Sequence, residues 1–297
     1  MEKIIFTCKT VTPLVMNGAY GDQPELRPPG IKASLRFWWR ALHGHLSLDE
    51  LRKQESAIFG NTKDRSKVLI RMEQNIDEPQ KVRTPLLPHK QEDFKKSPAL
   101  AFNVGLIFKI RIDCESKHKE MLKNLFILAC TLGGWGKRSR RGFGSVAVTE
   151  VDEVAFAMPT DLNGILSKIN FFEQNRFEIQ NGIIKPKFPI SKGWQEAYPY
   201  ILEIKIGSST KTLTQIGQVS HDVMSEREPQ KLNYKYVLGA GTPRFASPIF
   251  VSLLPSGLPI VTTLRTVAPR ITRKDEERGA SNQPSLQTDF KDLILNP

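Results

Sequence analysis

Polar and apolar positions alternate along residues 3–11, KIIFTCKTV, where β-branched types are frequent, and this predicts a strand. The following NGAYGDQPELRPPG holds three prolines and three glycines and predicts a loop. From Ile31 to about His45 the apolar period becomes helical, with Ile31, Leu35, Trp38 and Leu42 on one stripe. KVLIRME (67–73) and VGLIFKIRI (104–112) read as two more strands. The stretch between them, with Pro79, Pro85, Pro88 and Pro98, reads as a long loop over 76–103, a length usual for functional or disordered segments. Residues 118–132 predict a second helix that turns Leu122, Leu125, Phe126 and Ala129 inward, closed by Gly133 in a left-handed cap. FGSVAVTEV (143–151) predicts another strand. The resulting order, β-α-β-β-α-β, is the ferredoxin-like arrangement also used by RNA-recognition domains.

The second half predicts a helix over 161–176, a strand over 199–207 and a helix over 211–225. SPIFVSLL and LPIVTTL, joined by Pro255-Ser256-Gly257, then read as a hairpin, and 285–295 as a last helix. This is most of a second ferredoxin-like unit, without a closing strand. A length of 297 residues suits two domains. The expected fold class is therefore α+β, with a ferredoxin-like domain over 1–155 and a degenerate ferredoxin-like domain over 156–297.

Charge changes this picture from architecture toward partners. Lys and Arg number 43 against 31 Asp and Glu, a net charge of +12, which favours a polyanion such as RNA or DNA. Nothing approaches the run of about 18 apolar residues that spans a membrane. The opening MEKIIFTCKTVTP lacks the apolar stretch and cleavage site of a signal peptide. Cys8, Cys114 and Cys130, odd in number and widely spaced, suit reduced thiols. These features predict a soluble cytoplasmic protein.

The densest chemical signal is GGWGKRSRRGFGSV, residues 133–146. Gly133, Gly134, Gly136, Gly142 and Gly144 permit close backbone approach, and Lys137, Arg138, Arg140 and Arg141, with Ser139, supply phosphate donors. The segment fails as a Walker A loop, because position 131 is Thr and Gly136-Lys137 is followed by Arg138. It leads from helix to strand, so it also fails as a dinucleotide fingerprint. A loop lying along a nucleic-acid backbone fits, and a solvated basic turn is the competing reading. On the first helix, Lys32, Arg36, Trp39, Arg40 and His43 share a side, a cationic stripe with an aromatic as on single-strand binding surfaces. Trp39 is equally well read as a packed core ring. Phe143 is a second candidate stacking platform.

Cys114 and His118 stand four apart with no second pair to complete a zinc site, and no cofactor is implied. Asp22 and Glu25 lie in the first loop without a paired carboxylate cluster and read as solvated acids.

Four segments taken together, ELRPPGIKASLRFWWRALHG (Glu25 to Gly44), IFG (Ile58 to Gly60), GGWGKRSRRGFGSV and RFASPIFVSLL (Arg244 to Leu254), resemble the RAMP superfamily of CRISPR systems. Within it the resemblance is to the capping subunits of type III-B Cmr complexes. It implies ferredoxin-like domains with a Gly-rich loop after the second helix, here Gly133 to Gly144. It further implies a non-catalytic subunit with guide RNA (crRNA), single-stranded target RNA and other Cmr subunits as partners. The backbone subunit of such complexes carries its catalytic Asp in the region of Asp22, but the motif here resembles the capping subunit, so that role is not carried over. A rival reading is a metal-independent endoribonuclease of repeat RNA, with His43 as general base. A third is an assembly scaffold whose basic loop meets acidic neighbours.

Overall fold

The computed structural model describes residues 1–18, 23–73, 81–87, 98–172, 175–187, 198–225, 238, 246–265 and 284–296. Strand β1 (Glu2–Thr10) follows its alternating pattern, with Ile4, Phe6 and Cys8 wholly buried on one face. It pairs antiparallel with β5 (Ile107–Cys114) on one side and β6 (Val146–Val151) on the other. With β2 (Leu69–Met72) and the two-residue β7 (Val154–Ala155) they form an antiparallel sheet of order β2-β5-β1-β6-β7. A separate pair, β3 (Lys81–Thr84) and β4 (Ala99–Phe102), lies inside the expected 76–103 loop.

Helices α1 (Pro28–Leu42) and α3 (Lys119–Leu132) cover the inner face of this sheet. α1 begins three residues before its apolar stripe, because Pro28 and Pro29 occupy its first positions, where a preset φ helps and the missing N–H is not needed. Phe126 of α3 stacks on Phe6 of β1 with ring centroids 4.0 Å apart. The expected left-handed cap at Gly133 is not formed. Gly133 is extended at φ −135°, ψ −159°, and a Cβ there would stand 2.7 Å from Trp38 Nε1. Close approach to the indole, not handedness, requires glycine. Phe143–Ser145, expected in the strand, belong to the loop before it.

A second antiparallel sheet has the order β11-β12-β10-β9-β8. Its members are β8 (Phe177–Gln180), β9 (Ile183–Pro186), β10 (Tyr200–Ile206), β11 (Ile249–Leu253) and β12 (Pro259–Arg265). The β8-β9 hairpin follows close behind the span expected as helix, since α4 (Leu162–Asn170) ends early. β9 takes the side of β10 opposite β12, so that flank of the central strand is covered.

The first pair of helices is shared by both sheets. α1 touches β10, and α3 touches β11 and β12. Phe250 meets Trp38 at 5.1 Å and Phe37 at 5.4 Å, and Ser252 donates its hydroxyl to Thr131 O at 2.6 Å. The far face of the second sheet is covered by α5 (Leu213–Ser225) and α6 (Pro284–Leu295) through Ile216, Val251, Val261, Phe290 and Ile294. The molecule is thus layered sheet, helices, sheet, helices.

Candidate nucleic-acid interface

The loop leaving α3 reaches three parts of the chain by hydrogen bonds. Trp135 N–H donates to Gly144 O (3.0 Å) and closes the loop on itself. Lys137 N–H donates to Val15 O (2.7 Å) and Gly144 N–H to Pro13 O (3.0 Å), which fasten it to the segment after β1. Gly142 N–H donates to Val251 O (2.8 Å), which fastens it to the second sheet. Thr12 Oγ1 and Ser145 Oγ both donate to Gly142 O. Two glycines make this possible. Gly136 (φ +81°) and Gly144 (φ +64°) are left-handed, and a Cβ on either would collide with a carbonyl oxygen, Val15 O or Trp135 O. Gly134 likewise lies against Phe143 O, and Gly142 is left-handed beside Leu213 and Ile216.

The loop's cations divide into two kinds. Lys137 and Arg138 are exposed, on a corner where Arg138 itself is left-handed at φ 57°. Ser139 opens a short 3-10 turn through Arg141. Arg140 donates to Ser247 O and lies over the Phe250 ring at 4.3 Å. Arg141 donates to Leu238 O (2.8 Å), Ile249 O (3.2 Å) and Ser247 Oγ (3.2 Å), and lies over Phe290 at 5.1 Å. Burial, with the charges of Arg138 and Arg140 beside it, pushes the Arg141 guanidinium down to about 9. These two arginines fasten the loop to the second sheet.

The expected stripe on α1 meets a helix that the apolar pattern left unassigned, α2 (Leu48–Phe59). Its Glu55, 4% exposed, accepts from Arg36 Nε (2.6 Å) and Arg40 Nη1 (2.5 Å). Lys32 Nζ donates to Ser66 Oγ (2.5 Å) and Val68 O (3.1 Å). The stacking roles expected of Trp39 and Phe143 are corrected by burial: they are 2% and 1% exposed. α1 is packed on more than one side, so its second face also holds core. Trp39 stacks on His43 at 4.0 Å.

His43 presents Nδ1 to Trp39 O at 2.6 Å, so that nitrogen carries the hydrogen. Burial, then the Arg176 charge, pushes its pKa down to about 4 against the Trp39 bond, which makes it a weak base. Cys8, Cys114 and Cys130 are free and buried, and burial pushes all three thiols up. Glu25 is exposed, its carboxylate folded over Gly18. Asp22, Arg244 and much of 76–103 lie outside the described residues. Among the described residues no three metal-ligating side chains gather, and no helix is long and apolar enough to cross a membrane.

Residues 7–147, from β1 through the whole Gly-rich loop, match the sequence pattern of the RAMP superfamily. Two curated proteins of Pyrococcus furiosus are similar to this chain. The CRISPR system Cmr subunit Cmr1-2 is 26% identical over 187 residues, covering 52% of the chain and 99% of that protein. Cmr subunit Cmr1-1 is 30% identical over 172 residues, covering 48% of the chain and 47% of that protein. In fold, the chain is similar over 99% of its length, and 97% of the other's, to crystalline Cmr1 from Pyrococcus furiosus in its apo form, with a TM-score of 0.62 at 15% identity. It is also similar, over 98% of its length and 99% of the other's, to a chain of the type III-B Cmr-beta complex bound to cognate target RNA, with a TM-score of 0.58 at 11% identity.

Proposed function

We propose that this chain is a RAMP-superfamily protein and a non-catalytic, RNA-binding subunit of a type III-B Cmr effector complex. In this reading it works in the cytoplasm and holds the 3′ part of the guide RNA, with the matching target RNA, at one end of the assembly. Its relatives are Cmr subunits, and a chain of like fold belongs to a complex bound to target RNA. The observation that carries the reading within the chain is the Gly136–Arg138 corner. There two exposed cations stand on a loop held rigid by backbone hydrogen bonds, beside the segment that leads into α1. Rigid, phosphate-directed cations suit a task in which base pairing, not the protein, reads the sequence. Arg140 and Arg141 act here by holding the corner in place, and Arg36, Arg40 and Lys32 by bracing α1.

The same reading treats each sheet as the core of one ferredoxin-like domain, 1–155 and 156–297. The sheet order β2-β5-β1-β6, with α1 and α3 as crossovers, supports the first. The second has β10, α5, β11, β12 and α6, with β9 standing where a closing strand would lie.

The test is binding of a labelled single-stranded RNA by purified protein across a salt series. Lys137→Glu with Arg138→Glu should weaken binding and flatten the salt dependence by about 0.7 in log–log slope for each phosphate no longer neutralised. An unchanged affinity and slope would remove the corner from the interface.

A further inference from the structure

Glu55 faces inward from α2, while Arg52 and Lys53 on the same helix face out. They border an open cleft of about 450 Å³ whose other walls are Ser56, Ala57, Asn61, Asp64, Arg65 and Lys67. The cleft exists because of the Ile58-Phe59-Gly60 step. Ile58 and Phe59 are buried, and Gly60 ends the helix at φ +77°, where a Cβ would stand 2.6 Å from Ser66 N. The turn that follows is fixed from within. Asn61 Oδ1 accepts from Lys63 N–H (2.7 Å) and Asp64 N–H (2.8 Å), and Asn61 Nδ2 donates to Asp64 Oδ2 (2.9 Å). Lys67 N–H donates to Ile58 O (3.2 Å), and Lys32 pins Ser66 and Val68 from α1. The rim is therefore preorganised.

Four cations line this cleft against one carboxylate, and that carboxylate is held by Asn61. Arg52 and Arg65 are exposed and make no ion pair among the described residues. Lys67 shares Glu115 (3.1 Å) with Lys117 (3.0 Å), and Lys53 reaches Glu50 only at 3.8 Å. Its apolar surface is that of Ala57 and of the aliphatic stems of the long cations, and no aromatic or branched aliphatic side chain stands in it to anchor a protein partner. Guanidinium groups free of carboxylates on a rigid, open groove match phosphate oxygens.

We propose that this cleft is a second phosphate-binding groove, which takes the backbone of a single-stranded nucleic acid. The proposal rests on the RNA-binding reading above and adds a site separate from the Gly-rich loop. It is tested on the full chain with a fluorescein-labelled oligouridylate, by anisotropy over a salt series. Arg52→Gln with Arg65→Gln is compared with Lys137→Gln with Arg138→Gln, and far-UV circular dichroism checks that each variant is folded. The groove variant should bind about tenfold more weakly at low salt, with a log–log slope shallower by roughly 1.4, about 0.7 for each of two phosphates.

If the groove variant binds like wild type while the loop variant is weakened, the groove is wrong and the RNA reading stands. If the groove variant is weakened and the loop variant binds like wild type, the groove stands and the loop assignment fails. Absence of salt-dependent binding by wild type overturns both. Competition by polyglutamate that the groove substitutions abolish, with RNA binding untouched, assigns the cleft to an acidic protein segment and overturns the proposal.

Discussion

Glu55 decides what the basic side of α1 can do. Its carboxylate receives both Arg36 and Arg40 in a site where it is 4% exposed. Removing one member of such a buried set leaves the others uncompensated, at a cost of about 3–5 kcal/mol when burial is complete. The arginine side chains keep 35% and 19% exposure, so Glu55→Gln should cost near the lower end, about 3 kcal/mol, by urea unfolding. Arg52→Gln, on the outer side of the same helix, should stay within about 0.5 kcal/mol. His43 offers a pH test. Its folded pKa of about 4 lies below the ordinary 6.5, so the unfolded chain binds the proton more readily between those values. Stability is then full above pH 6.5 and falls as pH drops toward 4, by up to about 3 kcal/mol. His43→Gln should make the unfolding free energy less steep across that window, the remaining slope coming from His45, which burial and the Arg176 charge also push down to about 4. A slope equal to wild type would mean that the proton uptake lies elsewhere.

At the scale of elements, what the sequence made legible was whatever carries a clear apolar pattern between turn residues. β1 and β10 fall where an alternating period predicts them, while α3 and the β11-β12 hairpin, buried on both sides, show as apolar runs bounded by turn residues. α2 escapes that pattern although Ser47 and Glu50 spell a helix start, and Ser47 Oγ does accept from Glu50 N–H (3.3 Å). The β8-β9 hairpin is equally written in its turn, Asn181-Gly182, left-handed at φ 52° and 71°. Within the site, the sequence identifies the Gly-rich loop and its cations but not the partners that absorb Arg140, Arg141, Arg36 and Arg40. Those partners are carbonyls of residues about 100 positions away, or one acid on an unassigned helix. The loop's glycines also face the protein's own backbone, which spacing alone does not distinguish from approach to a ligand. Gly144→Ala and Gly182→Ala separate these costs, since both positions are left-handed but only Gly144 lacks room for a Cβ. Gly182→Ala should cost about 1 kcal/mol and Gly144→Ala about 2–4 kcal/mol, by thermal or urea unfolding. Equal losses would show that the crowding at Trp135 O relaxes freely.

For the whole molecule, the layering makes α1 and α3 common property of two sheets. Phe250 is the clearest case, since this second-sheet residue packs against Phe37 and Trp38 of α1 and carries Arg140 over its ring. One continuous core runs from Ile4 and Phe6 through Trp38 and Leu132 to Ile201, Phe250 and Leu264. Two units that share a helical layer and a loop lose apolar cover if they separate, so neither half has an independent reason to stay folded. The chain should therefore unfold in one transition despite having two sheets. In a Trp194→Phe background, indole emission reports Trp38, Trp39 and Trp135 of the first half, and far-UV circular dichroism reports both halves; the two curves should coincide. Phe250→Ala should lower both midpoints together, with a loss of about 3–5 kcal/mol. If the circular dichroism curve instead splits into two phases, one sheet melts without the other and the shared layer does not couple the halves. Coupling matters for the proposed RNA contact, because Lys137 and Arg138 stand on a loop whose far end is fastened to the second sheet by Arg141 and Gly142. Loosening that sheet should then weaken RNA binding without touching a single exposed cation.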